Sequence, residues 1–257
     1  MNALKLFDLS GKSALVTGGS KGLGRTIAFA LAEAGSDVWV ASRNAEQCAV
    51  VAEEIKAATG RAAFSEKLDV SDKKSVTDVV DSVNEKFGKL DILVNNSGAT
   101  WGAPIEDMPL EKWEQVLRVN LTGTFLACQA VIPIMKENGW GRIINVSSIV
   151  GLVSPPDFMN TVGYTASKGG IISLTRELAI KMATNNIVVN AIAPSFFPTK
   201  MTSAFIEKFG DRMIDQSPMK RLGEDDDLKG VVVFLASEAS RYVTGQVLAV
   251  DGGYTAA

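Results

Sequence analysis

Short apolar runs alternate with longer amphipathic segments along the whole chain, and that alternation restricts the fold more than any other feature. The runs Ser13–Val16, Asp37–Arg43, Ala62–Leu68, Leu90–Val94, Gly141–Val146, Ile187–Ile192 and Gly245–Val250 read as strands. Nearly unbroken hydrophobicity over four to eight residues fits strands covered on both faces, as in a parallel sheet. Between them lie segments with apolar residues at helical spacing, such as AEQCAVVAEEIKAATG, closed by Gly60, and SDKKSVTDVVDSVNEKFG, where Ser71 or Asp72 can serve as N-cap. LEKWEQVLRVNLTGTFLACQAVIPIMKEN reads as one long helix, MTSAFIEKFGDRMIDQSPMKRLG as a mobile helix pair, and EDDDLKGVVVFLASEAS as a helix with an acidic first turn. No linker or repeat interrupts the pattern. It predicts a single α/β domain over 1–257, a doubly wound sheet of seven parallel strands flanked by helices.

Ligands of such sheets bind outside the carboxyl ends of the strands, so the residues there carry the functional reading. After the first strand comes Thr17-Gly18-Gly19-Ser20-Lys21-Gly22-Leu23-Gly24, then the helix RTIAFALAEAG. Glycines allow a tight turn and close approach of a phosphate, and a helix N-terminus offers unpaired N–H groups. The spacing T-G-x-x-x-G-x-G is neither G-x-G-x-x-G nor a Walker loop. After the second strand stand Ser42 and Arg43, where a dinucleotide site for NAD would place a carboxylate. With Lys21 they suit a 2′-phosphate, which arginine can bind through paired charge-assisted hydrogen bonds. The expected cofactor is therefore NADP(H).

The third strand delivers Asp69 and Val70, able to read an adenine edge, although Asp69 could equally cap the next helix. The fourth runs into Asn95-Asn96-Ser97-Gly98, whose amides can tie strand ends together, or which can simply form a turn. Asn120 lies inside an apolar helix and needs a partner, either a backbone carbonyl or a functional water. Ser147 and Ser148 stand at the carboxyl end of the fifth strand, Pro155 and Pro156 break the segment that follows, and the sixth strand leads to Pro194. Tyr164 and Lys168 stand four apart on one helix face, their Cβ atoms about 6 Å apart. An adjacent ammonium favours the phenolate and brings the phenol toward the range of an acid–base catalyst.

Composition removes the competitors. Histidine is absent, which excludes Ser-His-Asp and Cys-His triads and the usual zinc sites; no metal is expected. A net charge of −3 gives no electrostatic reason to expect nucleic acid or an anionic membrane. There is no run of eighteen apolar residues and no apolar core of signal-peptide length near MNALKLFDLSGK, so a cytoplasmic protein is expected. Cys48 and Cys128 fall in apolar helical patterns and read as buried thiols.

With TGGSKGLG, NNSG, Asn120, Ser148 and YTASK in this order, the chain resembles the short-chain dehydrogenases/reductases over essentially its full length, in their short single-domain branch with a Rossmann-type sheet. Among them it is most similar to bacterial 3-oxoacyl-ACP reductases, the rhamnolipid-linked kind included, and to gluconate 5-dehydrogenases, through SGATWGAPIEDMP and IAPSFFPTKMT. The resemblance implies hydride exchange between NADPH and a small-molecule ketone or secondary alcohol. It implies Tyr164 as general acid, Ser148 as donor to the substrate oxygen, Lys168 as the group that lowers the phenol's pKa and holds the nicotinamide ribose, and Asn120 as anchor of a relay water. Thr17, Gly18, Ser20, Gly22 and Leu23 would surround the pyrophosphate and its ribose; Asn96, Ser97 and Gly98 the second ribose; Pro194, Phe197 and Thr199 the carboxamide. It also implies a homotetramer. A substrate lid is expected around 195–220. Alternative readings are an oxidative sugar-acid or polyol dehydrogenase and, from another class, a catalytically idle NADP-binding regulator.

Three positions depart from the family pattern: Ser97 replaces an alanine, Ser195 a glycine, and the segment between Ser148 and Tyr164 is a few residues longer than usual. That insertion, around Ser154 to Asn160, lies at the expected substrate entrance. Trp101, Phe158, Met159, Phe196, Phe197, Met201 and Phe205 would form an apolar pocket favouring an acyl or cyclic ketone over a polyol.

Overall fold

The computed structural model describes residues 2–256. Its strands are β1 (Ser13–Thr17), β2 (Asp37–Ser42), β3 (Ala63–Lys67), β4 (Ile92–Asn95), β5 (Gly141–Val146), β6 (Ile187–Pro194) and β7 (Val247–Val250). They form one seven-stranded sheet in the order β3-β2-β1-β4-β5-β6-β7, every pair parallel. The helices are α1 (Gly22–Glu33), α2 (Ala45–Thr59), α3 (Lys73–Phe87), α4 (Leu110–Leu117), α5 (Gly123–Asn138), α6 (Val162–Met182), α7 (Ser203–Gln216) and α8 (Asp225–Ala236).

The central strands are mostly apolar because each serves two cores, whereas the edge strand β3 carries Ser65, Glu66 and Lys67. In β1, Ala14 and Val16 join a cluster with Ile27 and Leu31 of α1 and Leu228 and Val232 of α8. Leu15, between them, faces the opposite cluster, with Val79 and Val83 of α3 and Val131 of α5. Each such side chain, fully buried, contributes about 1.5–3 kcal/mol, and both layers need the alternation kept in register. The order reverses between β1 and β4, since β1 pairs with β2 on one side and β4 on the other. A crevice opens at that switch point.

Local chemistry sets the boundaries. Asn44 caps α2 through its Oδ1, and Gly60 ends it in the left-handed conformation. Asp72, rather than Ser71, caps α3. A capping box between Glu224 and Asp227 opens α8.

Two expected helices come out differently. The segment after Met201 holds one helix, α7, rather than a pair; Ser217, Pro218 and the positive φ of Lys220 turn the chain away before a second can form. The long helix after Pro109 is broken by a π turn, Arg118–Thr122, centred on Asn120, with the Gly123 N–H reaching back to the Arg118 carbonyl. Leu110–Asn138 contains an 18-residue window of mean hydropathy 1.3 and is long and apolar enough to cross a membrane by length and composition. Here α5 packs its Ala127, Val131 and Met135 into the core beside α3.

Candidate active site

Thr17 ends β1, and the chain then turns through Gly18 at φ +65° into α1. A Cβ on Gly24 would overlap the Gly18 carbonyl oxygen and Asn96 Nδ2, so only glycine lets helix, turn and the end of β4 meet. Asn96 Nδ2 donates to the Thr17 and Gly18 carbonyls at 3.2 and 3.1 Å. The Thr17 hydroxyl accepts from the backbone N–H groups of Asn96 and Ser97 at 3.1 and 3.2 Å. The amide-rich end of β4 is thus a tie between strand ends.

Farther along the sheet, Asn95 Nδ2 donates to Asn145 Oδ1 and Asn145 Nδ2 to Thr175 Oγ1, both at 2.9 Å. This joins β4, β5 and α6 behind the crevice. A buried amide left without a partner would cost about 1–3 kcal/mol, so the relay fixes the strand ends firmly.

The crevice is a cleft of about 630 Å³. From the glycine turn it is lined by Gly18, Ser20, Lys21, Gly22 and Leu23; from the ends of β2 and β3 by Ser42, Arg43, Asp69 and Val70. Asn96, Ser97 and Gly98 form its middle, and Ser148, Tyr164, Lys168, Pro194, Phe197 and Thr199 its far end. Two expected site residues do not line it. Thr17 is buried, its hydroxyl engaged as above. Asn120 is fully buried: its Oδ1 accepts from the Ala99 N–H at 2.7 Å, and its Nδ2 donates to the Ala99 carbonyl and to Ser167 Oγ, each at 2.9 Å. Ser167 Oγ in turn donates to the Tyr164 carbonyl at 2.7 Å. Both amide N–H donors are therefore spent on protein partners, leaving none for a relay water. Asn44, Thr100, Val119 and Thr202 also line the cleft. Only Asn44, next to Arg43, carries a local signal that could have placed it there.

Ser147 also reaches the wall, but its hydroxyl donates to the Lys168 carbonyl at 2.9 Å, whereas the Ser148 Oγ only accepts, from the Val150 N–H at 3.4 Å, and keeps its own proton to donate. Asp69 does not cap α3. It accepts from the N–H and hydroxyl of Ser71 at 2.9 and 2.6 Å, and these bonds, with the charges of Arg43 and Arg118 behind them, hold its carboxyl below the usual range.

The Tyr164–Lys168 pair is close, with Nζ 5.4 Å from the ring centroid. Its electrostatics differ from the expectation. Burial pushes the phenol above its ordinary value, and the hydrogen bond with Ser148 opposes this only in part. Lys168 is itself buried, donates from Nζ to the Val146 carbonyl at 2.7 Å, and is pushed down to about 8 by burial. Burial disfavours the charged form of each group, raising the phenol and lowering the ammonium.

The cleft also fits a dinucleotide phosphate. Lys21 occupies the N-cap position of α1 without a side-chain cap, so the first N–H groups of that helix face the glycine turn unblocked, unlike those of α2 and α3. Lys21 and Arg43 supply positive charge at the same end.

A family model described as Enoyl-(Acyl carrier protein) reductase matches residues 18–255. The chain is 40% identical over 245 residues to the 3-oxoacyl-[acyl-carrier-protein] reductase FabG of Aquifex aeolicus, covering 95% of this chain and 98% of that one. A gluconate 5-dehydrogenase from Burkholderia cenocepacia, solved in complex with NADP and tartrate, superposes with a TM-score of 0.95 at 37% identity, over 100% of both chains. The RhlG/NADP active-site complex of Pseudomonas aeruginosa superposes at 0.92 with 34% identity, over 99% of each. Together with a glycine turn, serine, tyrosine and lysine gathered at one switch-point cleft, these matches establish that the chain belongs to the short-chain dehydrogenase/reductase family of oxidoreductases.

Proposed function

We propose that the protein reduces ketones at the expense of NADPH, with 3-oxoacyl thioesters or similar ketones as substrates. The observation that carries the reading is the gathering of Ser148, Tyr164 and Lys168 at the far end of the switch-point cleft, with Lys168 Nζ 5.4 Å from the Tyr164 ring centroid. Reduction needs a proton donor at the substrate oxygen, and a phenol beside a serine hydroxyl supplies one.

When bound, NADPH supplies the hydride. Lys21, Ser42 and Arg43 hold the 2′-phosphate; Gly18, Ser20, Gly22 and Leu23 the pyrophosphate; Asp69 and Val70 the adenine side. Asn96, Ser97 and Gly98 take the second ribose, and Pro194, Phe197 and Thr199 the carboxamide. Tyr164 gives its proton to the oxygen that gains charge, and Ser148 donates a second hydrogen bond there, an arrangement that favours the transition state over the neutral carbonyl. Lys168 keeps positive charge beside the phenol. Asn120 acts by position: through Ser167 and Ala99 it fixes the backbone of Tyr164 against the β4 loop. Thr17 holds the glycine turn in place. The lid, 195–220, covers the far end.

We further infer a cytoplasmic homotetramer; Leu110 of α4 and Phe125 of α5 stand exposed, as a helix-mediated assembly would require. A second reading, oxidation of a sugar acid, is favoured by the likeness to gluconate 5-dehydrogenase. Loss of reduced-nicotinamide absorbance with a panel of ketones, and its gain with gluconate, separates the two. Tyr164→Phe is expected to lower ketone turnover about 100-fold or more. Undiminished turnover in that variant would overturn the mechanism.

A further inference from the structure

The chain leaving β5 holds Lys168 at several points. The Val146 carbonyl accepts from Lys168 Nζ at 2.7 Å, and the Ser147 hydroxyl donates to the Lys168 carbonyl at 2.9 Å. Ser148, next in line, caps a short 3-10 turn, Ile149–Gly151. The Gly151 N–H closes that turn on the Ser148 carbonyl at 3.0 Å, and Ile149 and Val150 are buried.

Gly151 then meets α6 backbone to backbone. A Cβ on it would lie 2.8 Å from the Lys168 carbonyl carbon, 2.9 Å from the carbonyl oxygen and 3.1 Å from the Gly169 nitrogen. A helix backbone in a packed interior has no flexible end that could give way to it. Gly151 does not sit at positive φ, so any residue could adopt its backbone, and the contact alone excludes a side chain. The facing glycine differs. A Cβ on Gly169 would find the Gly151 carbonyl oxygen at 3.9 Å, an ordinary contact. The seam thus accepts a methyl from the helix side and refuses one from the turn side. Of the two partners, the turn is the one that must move. α6 is 21 residues long and anchored beyond Lys168 by Ile171, Ile172, Thr175 and Ala179, whereas the turn is three residues long. Relieving the overlap takes about half an ångström, and the displacement carries Ser148, whose carbonyl closes the turn.

We propose that Gly151 is a positioning residue for Ser148: lying flat on the Lys168–Gly169 peptide, it sets how far the Ser148 hydroxyl stands from Tyr164 and from the oxygen on which both act. This rests on the reading of Ser148 as donor to the substrate oxygen and holds for either direction of hydride transfer.

The test measures kcat and KM for acetoacetyl-CoA with NADPH, and the NADPH Kd from nicotinamide fluorescence. Gly151→Ala, Gly169→Ala and Ser147→Ala are each made with and without Ser148→Ala. Gly151→Ala is expected to lower kcat about tenfold or more with Kd kept within about twofold, because the glycine turn that holds the phosphates is untouched. Gly169→Ala should keep kcat within about twofold, and Ser147→Ala, which releases the same carbonyl without adding an atom, should lower it about threefold. Once Ser148 is replaced, Gly151→Ala should cost less than about twofold, since no hydroxyl is left to misplace. A loss that persists in full in that background marks a merely structural role and overturns the inference. So does a loss shared by Gly169→Ala, or one matched by an equal rise in Kd. Should Gly151→Ala fail to fold, Ser147→Ala reads the same coupling to Ser148. If acetoacetyl-CoA is not reduced, the ketone-reductase reading fails first, and the same comparison is made on gluconate with NADP. A wild type inactive on both overturns the assignment of Ser148, and this inference with it.

Discussion

Lys168 should cost the protein stability at neutral pH, and replacing it should show how much. Its ammonium is buried, and burial lowers its pKa from the ordinary 10.5 to about 8. At ~1.4 kcal/mol for each tenfold change in proton affinity, charging this group inside the fold costs about 3 kcal/mol below pH 8. The sign follows from proton counting. Between pH 8 and 10.5 the unfolded chain holds the proton and the folded chain does not, so stability rises with pH through that window. Lys168→Met removes the charge at similar volume but also strips the Val146 carbonyl of its donor, 2.7 Å away, which costs about 1–3 kcal/mol. The variant should therefore equal or exceed the wild type by up to about 2 kcal/mol at pH 7. By pH 9.5 its standing relative to wild type should fall by about 2 kcal/mol, because the wild-type lysine is then mostly neutral when folded. Tyr164 is present in both proteins, so its own titration largely cancels in the comparison. Urea unfolding of both proteins at the two pH values measures the gap. For a chain of this size the change corresponds to a difference in Tm shift of roughly 4–8 °C. A gap that does not move with pH would refute the buried-cation argument. A variant more than about 2 kcal/mol less stable at pH 7 would show that the Val146 bond outweighs desolvation. Ketone turnover should fall in either case, so the lysine persists by use rather than by stability.

Three further outcomes are expected. Gly24→Ala forces a Cβ into the Gly18 carbonyl and Asn96 Nδ2; Tm should drop by roughly 5–10 °C and NADPH Kd rise about tenfold, and an unchanged calorimetric titration would show that the turn yields more easily than its packing implies. Arg43→Ala should weaken NADPH at least about tenfold while NADH changes little, and equal losses for both would remove the 2′-phosphate assignment. Glu238→Ala leaves the Arg142 guanidinium, wholly buried and bonded to Glu238 at 3.2 Å, without its counter-charge. Because Glu238 is 43% exposed, the expected loss is about 2 kcal/mol rather than the full cost of an isolated buried ion. Arg142 lies at the opposite end of β5 from Ser148, so kcat should stay within about twofold; unfolding free energy unchanged by the mutation would refute the pairing.

The fold and most of the cleft are legible in the sequence because they rest on local rules. Strands buried on both faces are apolar at successive positions, as in Ala14–Val16, and a glycine-rich turn between such a strand and a helix announces a phosphate cradle at a known end of the sheet. Strand ends in a parallel sheet share one side, so Arg43, Asn96, Ser148 and Tyr164 meet without any further information. What escapes the sequence depends on partners far apart along it. Asn120 by itself reads first as a backbone tie, and only the family resemblance makes it a water anchor; the structure has Ala99 and Ser167 taking both its N–H donors. The π turn that places it there leaves no mark in residue spacing, because one extra residue in a turn shifts the apolar period too little to notice. Tyr164 is the sharper case. Four-residue spacing rightly puts it beside Lys168, and an adjacent cation alone would lower its pKa. Only the fold reveals that the ammonium turns to the Val146 carbonyl and that desolvation governs both groups. The reversal matters for function, since a phenol above its ordinary pKa is both a weaker acid and a scarcer base at neutral pH, so the direction of the reaction does not follow from Tyr164 alone.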